Sequence, residues 1–75
     1  MKHPVHAEMA RIIRALPWTR QMMSKFLGIN RATLQGWLAM AEGTELPPRW
    51  PGRLAPTPRL LKLARGALEA HAGEV

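Results

Sequence analysis

The sequence predicts an all-α protein: a compact bundle of about four helices that contains a helix-turn-helix and has a Pro-rich loop before the last helix. Apolar residues recur at i, i+3, i+4 and i+7 in several segments. Residues that favour helix starts and stops stand at the ends of those segments. At 75 residues, the chain is expected to form one small domain with a thin core.

The first helix is predicted from about Val5 to Ala15. Its apolar stripe consists of Met9, Ile12, Ile13 and Leu16. Pro17 ends it, because proline lacks the backbone N–H that a helix interior requires.

The second helix is predicted to be short. Thr19 is a good N-cap, and the segment from Arg20 to Leu27 follows it. The apolar face of this segment consists of Met23, Phe26 and Leu27. Gly28 stops the helix at the position that favours a left-handed residue.

The third helix is predicted to start after Asn30, a second N-cap, and to end near Glu42 and Gly43. Its stripe consists of Leu34, Trp37, Leu38 and Ala41. Ile29 is expected to be a buried bridge between the two helices, and Ser24 is small where they would cross. A short helix followed by such a Gly-containing turn is typical of a helix-turn-helix, which we assign to residues 19–41. An ordinary helical hairpin is the alternative, since it uses the same glycine and the same stripe.

Residues 43–57 form the predicted Pro-rich loop. The stretch "ELPPRWPGRLAPTP" runs from Glu45 to Pro58, the first residue of the next predicted helix, and contains five of the seven prolines. This composition favours a stiff, extended connection. We expect Trp50 to pin this loop to the core, with Arg49 and Arg53 free to contact phosphates. A flexible arm that reaches a minor groove is the alternative.

The last helix is predicted over residues 58–71, with Thr57 as N-cap and Pro58 at its first position. Its stripe consists of Leu60, Leu63, Ala64, Ala67, Leu68 and His71, broadened by Leu61. The helix is expected to cover the core, and its remaining apolar edge suggests a homodimer with a two-fold interface.

Charge favours a polyanionic partner. The chain has 11 Lys and Arg against 5 acidic residues, a formal net charge of +6. Every charged residue between Glu8 and Glu42 is positive, and so is every one between Glu45 and Glu69. A basic surface that serves only solubility is the simpler interpretation of the same numbers.

Composition argues against an enzyme, because the chain has no Cys, Tyr or Asp and a single Ser. We expect no cofactor, no metal and no small-molecule substrate. His3, His6 and His71 are interpreted as exposed histidines rather than as a metal site. The lack of cysteine suits a reducing cytosol and no apolar run is long enough for a membrane span, so a cytoplasmic protein with no membrane partner is expected.

The stretch "RQMMSKFLGINRATLQGWL" from Arg20 to Leu38, with "PWTRQ" at its entry, resembles the helix-turn-helix of Xre/Cro-like repressors. The small Ser24, the turn Gly28 and the apolar positions around them fall where that family's pattern has them. The resemblance implies a lambda-repressor-like fold and sequence-specific binding of double-stranded DNA. It also implies repression as a dimer on an inverted repeat, in a bacterial or phage-encoded, nucleoid-associated regulator.

The outward face of the third helix is expected to enter a major groove. Gln35 suits adenine, Arg31 suits guanine or a phosphate, and Ala32 suits a thymine methyl. The expected base-contacting residues are Arg31, Ala32, Gln35 and Gly36. The expected backbone-contacting residues are Thr19, Arg20, Gln21, Lys25, Asn30, Thr33, Arg49 and Arg53. For Asn30, capping alone is the preferred role.

Two other functions fit the same sequence. The small face of the third helix suits a protein-interaction module or adaptor that packs a partner helix without binding a specific DNA sequence. Binding of RNA requires exposed aromatic platforms, so burial of Trp37 and Trp50 would argue against it.

Overall fold

Four helices make up the regular structure of residues 3–73, the part of the chain that the computed structural model describes. They are α1 (Pro4–Ala15), α2 (Arg20–Leu27), α3 (Arg31–Ala41) and α4 (Pro58–Gly73). No strand occurs among these residues. The all-α fold class is therefore confirmed, and each helix begins and ends within two residues of its predicted bounds.

The predicted N-caps accept backbone hydrogen bonds. Thr19 Oγ1 accepts from the N–H of Met22 at 3.1 Å, and Asn30 Oδ1 accepts from the N–H of Ala32 at 2.8 Å. Thr57 Oγ1 accepts from the N–H of Leu60 at 3.2 Å. Each of these caps satisfies one of the donors that a helix start leaves without an intrahelical partner.

The turn between α2 and α3 depends on Gly28. This residue has φ +70°, and its N–H donates to the carbonyls at the end of α2. Ile29 N–H then donates to the carbonyl of Ser24 at 3.0 Å, which closes the turn. Glycine adopts this left-handed conformation without the steric penalty that other residues incur, so the chain can reverse and start α3 within three residues.

The core lies where α1 and α2 pack against α3 and α4. The predicted stripe of α1 is buried in full, and Leu34, Trp37 and Leu38 of α3 lie opposite it. The buried hydrophobic cluster consists of Met9, Ala10, Ile12, Ile13, Leu16, Met23, Leu27, Leu34, Trp37, Leu38, Leu61 and Ala64. Ile29 is partly buried against this cluster rather than fully buried.

Two residues assigned to apolar stripes are wrong as core residues. Phe26 is 43% exposed and packs edge-on against Trp18, and Leu63 is 42% exposed. Both lie one residue, or about 100° of helix rotation, from a buried neighbour, Leu27 and Ala64 respectively. Because each helix buries only a narrow sector, these two side chains face outward.

The loop before α4 is held against the helices, but by contacts that differ from the expected one. Residues 47–54, called the strap below, form two successive turns closed by hydrogen bonds from Trp50 N–H to Pro47 O and from Arg53 N–H to Trp50 O. Trp50 itself is 52% exposed, so the prediction that it pins the loop to the core is wrong. The strap is anchored instead through its backbone carbonyl groups. A sequence pattern does not reveal such contacts, because every residue has a backbone carbonyl.

Three contacts seat the strap. Gly52, with φ +88°, lies directly on α3, where a Cβ would stand 2.6 Å from the Cα of Gly36. The ring nitrogen Nε2 of His6 is 3.1 Å from the carbonyl oxygen of Gly52. The indole N–H of Trp37 donates to the carbonyl of Leu54 at 2.9 Å. Glycines at both points of the backbone contact allow the loop to lie this close to the helix.

Candidate nucleic-acid interface

The outward face of α3 is a narrow strip that begins in its first turn. Arg31, Ala32 and Gln35 are exposed, whereas Leu34 and Leu38 lie in the core. Arg31 and Gln35 are one turn apart and therefore point in nearly the same direction. Three of the four residues expected to contact bases thus share one open surface, which we call the α3 strip.

Gly36, the fourth expected base contact, is not on the open surface, and that prediction is wrong for this structure. It is buried under the strap, and a Cβ at this position would overlap the carbonyl oxygen of Pro51 and stand 2.9 Å from Gly52 Cα. A glycine in a helix interior indicates that another group packs close to the helix backbone. At Gly36 that group is the backbone of the strap and not DNA.

The start of α2 presents a second group of the expected residues. Thr19, Arg20 and Gln21 are all exposed. Thr19 uses its hydroxyl oxygen as the N-cap, and the first N–H groups of α2 have no partner within the helix. Together with the positive end of the helix dipole, these donors and the Arg20 guanidinium can bind a phosphate. Lys25, further along α2, is also exposed.

Asn30 and Thr33 are placed differently from the other expected phosphate contacts. The side-chain oxygen of Asn30 caps α3, which is the role preferred for it from the sequence. Thr33 is half-buried beside the strap and lines a depression of about 370 Å³ together with Trp37 and Gly52. Thr33 thus lies at the junction of α3 and the strap.

The strap adds cations beside the α3 strip. Arg49 and Arg53 are exposed and line the same depression as Thr33. Gly36, which contacts the strap, lies about 100° around the axis of α3 from Gln35. Leu38, which is buried in the core, lies on the opposite side of Gln35. The strip therefore runs between the packed helices on one side and the strap on the other.

Two acidic side chains among residues 3–73 pair with arginines outside the α3 strip. Arg14 pairs with Glu42 at 2.7 Å, and Arg65 pairs with Glu8. Among residues 3–73, by contrast, the five cations of the candidate interface form no ion pair; these are Arg20, Lys25, Arg31, Arg49 and Arg53. The surface around α3 consequently carries uncompensated positive charge, which attracts a polyanion.

His6 is a contributor that the sequence analysis missed. The sequence predicts an exposed histidine here, and this prediction is wrong: His6 is buried and contacts the strap through the Gly52 carbonyl. The signal was present, because His6 stands three residues before Met9 and so extends the buried stripe of α1. Its ring also lies edge-on to that of His3, with centroids 5.5 Å apart. The described residues contain no group of three or more potential metal ligands.

The two tryptophans whose burial would argue against RNA differ in exposure. Trp37 is buried in the core, whereas Trp50 is half exposed on the strap between two arginines. Trp37 is therefore too buried to stack on an RNA base, whereas Trp50 is accessible for such stacking.

Comparison of the chain with protein-family models, with curated proteins and with solved structures gave no match. Within residues 3–73, no helix is both long and apolar enough to cross a membrane.

Proposed function

We propose that this protein is a sequence-specific binder of double-stranded DNA that regulates transcription, as a repressor, with α3 as its recognition helix. The observation that carries the proposal is the α3 strip, an open helix face bordered by cations on α2 and on the strap that pair with no carboxylate of residues 3–73. The resemblance of residues 20–38 to the helix-turn-helix of Xre/Cro-like repressors supports the same function.

In this proposal the α3 strip reads bases. An α-helix with its side chains is about 10–12 Å across and fits a major groove about 12 Å wide. Gln35 accepts from and donates to the N6 and N7 edge of adenine, and Arg31 forms a bidentate pair with guanine or holds a phosphate. Ala32 leaves room for a thymine methyl group at the start of the helix.

The start of α2 and the strap hold the phosphate backbones on the two sides of that groove. Arg20 and the free N–H groups of α2 bind one strand, and Arg49 and Arg53 bind the other. Because the hydrogen bond of His6 fixes the strap to α1 and that of Trp37 fixes it to α3, the arginines of the strap are held near α3 before DNA arrives. Such preorganisation lowers the entropy lost on binding.

The apolar edge of α4, from which the sequence predicts a homodimer, is surrounded by positive charge. The exposed apolar residue of that edge, Leu63, is flanked on the same surface by Arg59 and Lys62. A two-fold contact through it would bring the cations of both copies together. The number of chains per DNA site is to be measured by sedimentation of the complex.

The test is binding to duplex DNA from upstream of the gene that encodes the chain, against a scrambled duplex, at about 50 and 200 mM salt. We expect a preference of about 10³-fold or more for the upstream DNA. We also expect a steep fall in affinity for both duplexes as salt rises, since several phosphate contacts release counterions. If upstream DNA contains no operator, selection from random duplexes supplies one.

Three variants test the assigned roles. Gln35→Ala should relax specificity at one base pair by about 1–3 kcal/mol, while Arg20→Ala should weaken all sequences alike. Arg11→Ala is the matched control, because Arg11 is exposed on α1 and is not among the expected DNA-contacting residues. Equal losses from Arg20→Ala and Arg11→Ala, with no loss of specificity from Gln35→Ala, would mean that only net charge matters and would refute a reading face on α3. Tighter binding to single-stranded RNA, lost in Trp50→Ala, would replace the proposal with RNA binding.

A further inference from the structure

A second surface, on α2 and α4, combines exposed apolar side chains with a groove. Met22 is 52% exposed, and Phe26 and Leu63 are exposed beside it. Trp18 packs edge-on against Phe26 with ring centroids 5.2 Å apart. Between Phe26 and α4 lies a depression of about 490 Å³, which we call the α2–α4 groove; its lining is Phe26, Arg59, Lys62, Leu63, Gly66 and Ala67. Single exposed apolar residues are ordinary, but a contiguous set around a groove marks a binding surface.

Gly66 is not required by the internal packing of the fold. A Cβ at this position would meet nothing within 4 Å, whereas a Cβ at Gly36 would strike the strap. A glycine in a helix interior is less favourable for folding than alanine. No described residue of the chain approaches Gly66, and Gly66 lines the groove. The absence of a side chain there leaves room for the backbone of another molecule to pack on α4.

The charges around the groove are all positive. Arg59 and Lys62 line it, and Lys25 lines the adjoining depression that Phe26 shares with Trp18 and Met22. These three cations are exposed and form no ion pair with any of residues 3–73. The nearest carboxylate on α4, Glu69, does not line either depression. An acidic partner would complement this rim.

We propose that the α2–α4 groove binds an amphipathic helix of a partner protein, one whose apolar stripe is bordered by Asp and Glu. A second copy of this chain that packed on the groove through its own groove would place Arg59 and Lys62 of the two copies next to one another, where they repel. An anionic membrane matches the charge but suits a convex apolar face rather than a groove between two helices. A partner helix lays its i, i+3, i+4 and i+7 side chains into such a groove, and its flanking carboxylates meet the rim.

The α2–α4 groove shares no lining residue with the proposed DNA interface; only Lys25, which lines the adjoining depression, also belongs to the expected phosphate contacts. The interaction assigns the chain a second contact through which a regulator can be recruited or displaced. Phe26 is its centre, since this ring lines three neighbouring depressions. A large aromatic in the middle of a concave surface is the usual anchor of a protein interface.

The test uses two synthetic helical peptides of about 15 residues, which differ only in charge. Both carry Leu at i, i+3, i+4 and i+7; one has Glu at the flanking positions and the other has Lys. Each is titrated into the isotope-labelled full chain and followed by amide chemical shifts. We expect the Glu peptide to bind, with shifts at Phe26, Leu63 and Gly66, and the Lys peptide not to bind.

Variants distinguish a docking role from a structural one. Phe26→Ala should weaken the Glu peptide by about tenfold or more, and Val5→Ala, an exposed apolar residue of α1 outside the groove, should leave binding unchanged. Gly66→Ala should raise the thermal stability of the free chain yet weaken the peptide. Lys62→Glu should shift the preference toward the Lys peptide.

Several results would overturn the proposal. They are equal binding of both peptides, no binding of either at millimolar concentration, and peptide binding that Phe26→Ala leaves intact. Vesicles that contain phosphatidylserine, if they shift the same amides while the Glu peptide does not, would assign the groove to a lipid surface instead. Sedimentation that shows a dimer of the free chain abolished by Phe26→Ala would assign it to a second copy.

Discussion

Substitution of Gly36 by alanine tests whether the strap lies on α3. In the interior of an exposed helix this change stabilises a protein by about 1 kcal/mol, because alanine is the better helix former. At Gly36 the new methyl group would overlap the carbonyl oxygen of Pro51 and stand 2.9 Å from Gly52 Cα, whereas ordinary contact begins at 3.4 Å. The strap must therefore retreat by about 0.5 Å at Gly52, and further at the carbonyl.

The magnitude follows from what that retreat disturbs. The strap is held by the contact of His6 with Gly52 O and by the hydrogen bond from Trp37 to Leu54 O, each contributing about 0.5–1.5 kcal/mol. Overpacking of a close contact adds about 1–3 kcal/mol. Overpacking of about 2 kcal/mol and loss of the one contact at Gly52, about 1 kcal/mol, less the helix-propensity gain of about 1 kcal/mol, lead us to expect Gly36→Ala to lower the free energy of unfolding by about 2 kcal/mol. In a chain of this size that corresponds to a fall in Tm of roughly 8–16 °C.

Gly66→Ala is the matched control, since it places the same methyl group in a helix interior where nothing lies within 4 Å. It should raise Tm by roughly 4–8 °C. The assay is thermal and urea unfolding followed by circular dichroism, with all three proteins compared at one concentration. A Gly36→Ala chain as stable as the wild type, or more stable, would refute the seating of the strap on α3.

Three further predictions concern the caps, the anchors and the charges. Thr19→Ala should lower the free energy of unfolding by about 1 kcal/mol in urea while Thr19→Ser retains it, and an equal loss in both would contradict the hydroxyl cap. Trp37→Phe removes the donor to Leu54 O and should speed amide exchange in the strap more than in the core; uniform acceleration would mean that the indole only fills space. Removal of both Arg49 and Arg53 should reduce the slope of log affinity for duplex DNA against log salt by about 1.8, and an unchanged slope would exclude the strap from the DNA interface.

Local sequence signals were sufficient for the helices. The caps Thr19, Asn30 and Thr57 and the turn residue Gly28 act through groups within a few positions along the chain, so their effect is readable without a tertiary structure. The apolar stripe of α1 was equally clear, because a regular period of 3.6 residues states which face is buried. These signals also placed Arg31, Ala32 and Gln35 on an open helix face.

The sequence alone determined an all-α chain with its helix bounds, its N-caps and its excess of positive charge. The tertiary structure decided which glycine faces the chain and which faces solvent: Gly36 lies under the strap, and Gly66 lies open. It also decided that Trp50 and Phe26 are exposed and that His6 is buried. The reason is physical: the strap is joined to α1 and α3 through backbone carbonyls and glycine Cα atoms up to 46 positions away, and such contacts have no side-chain pattern in the sequence.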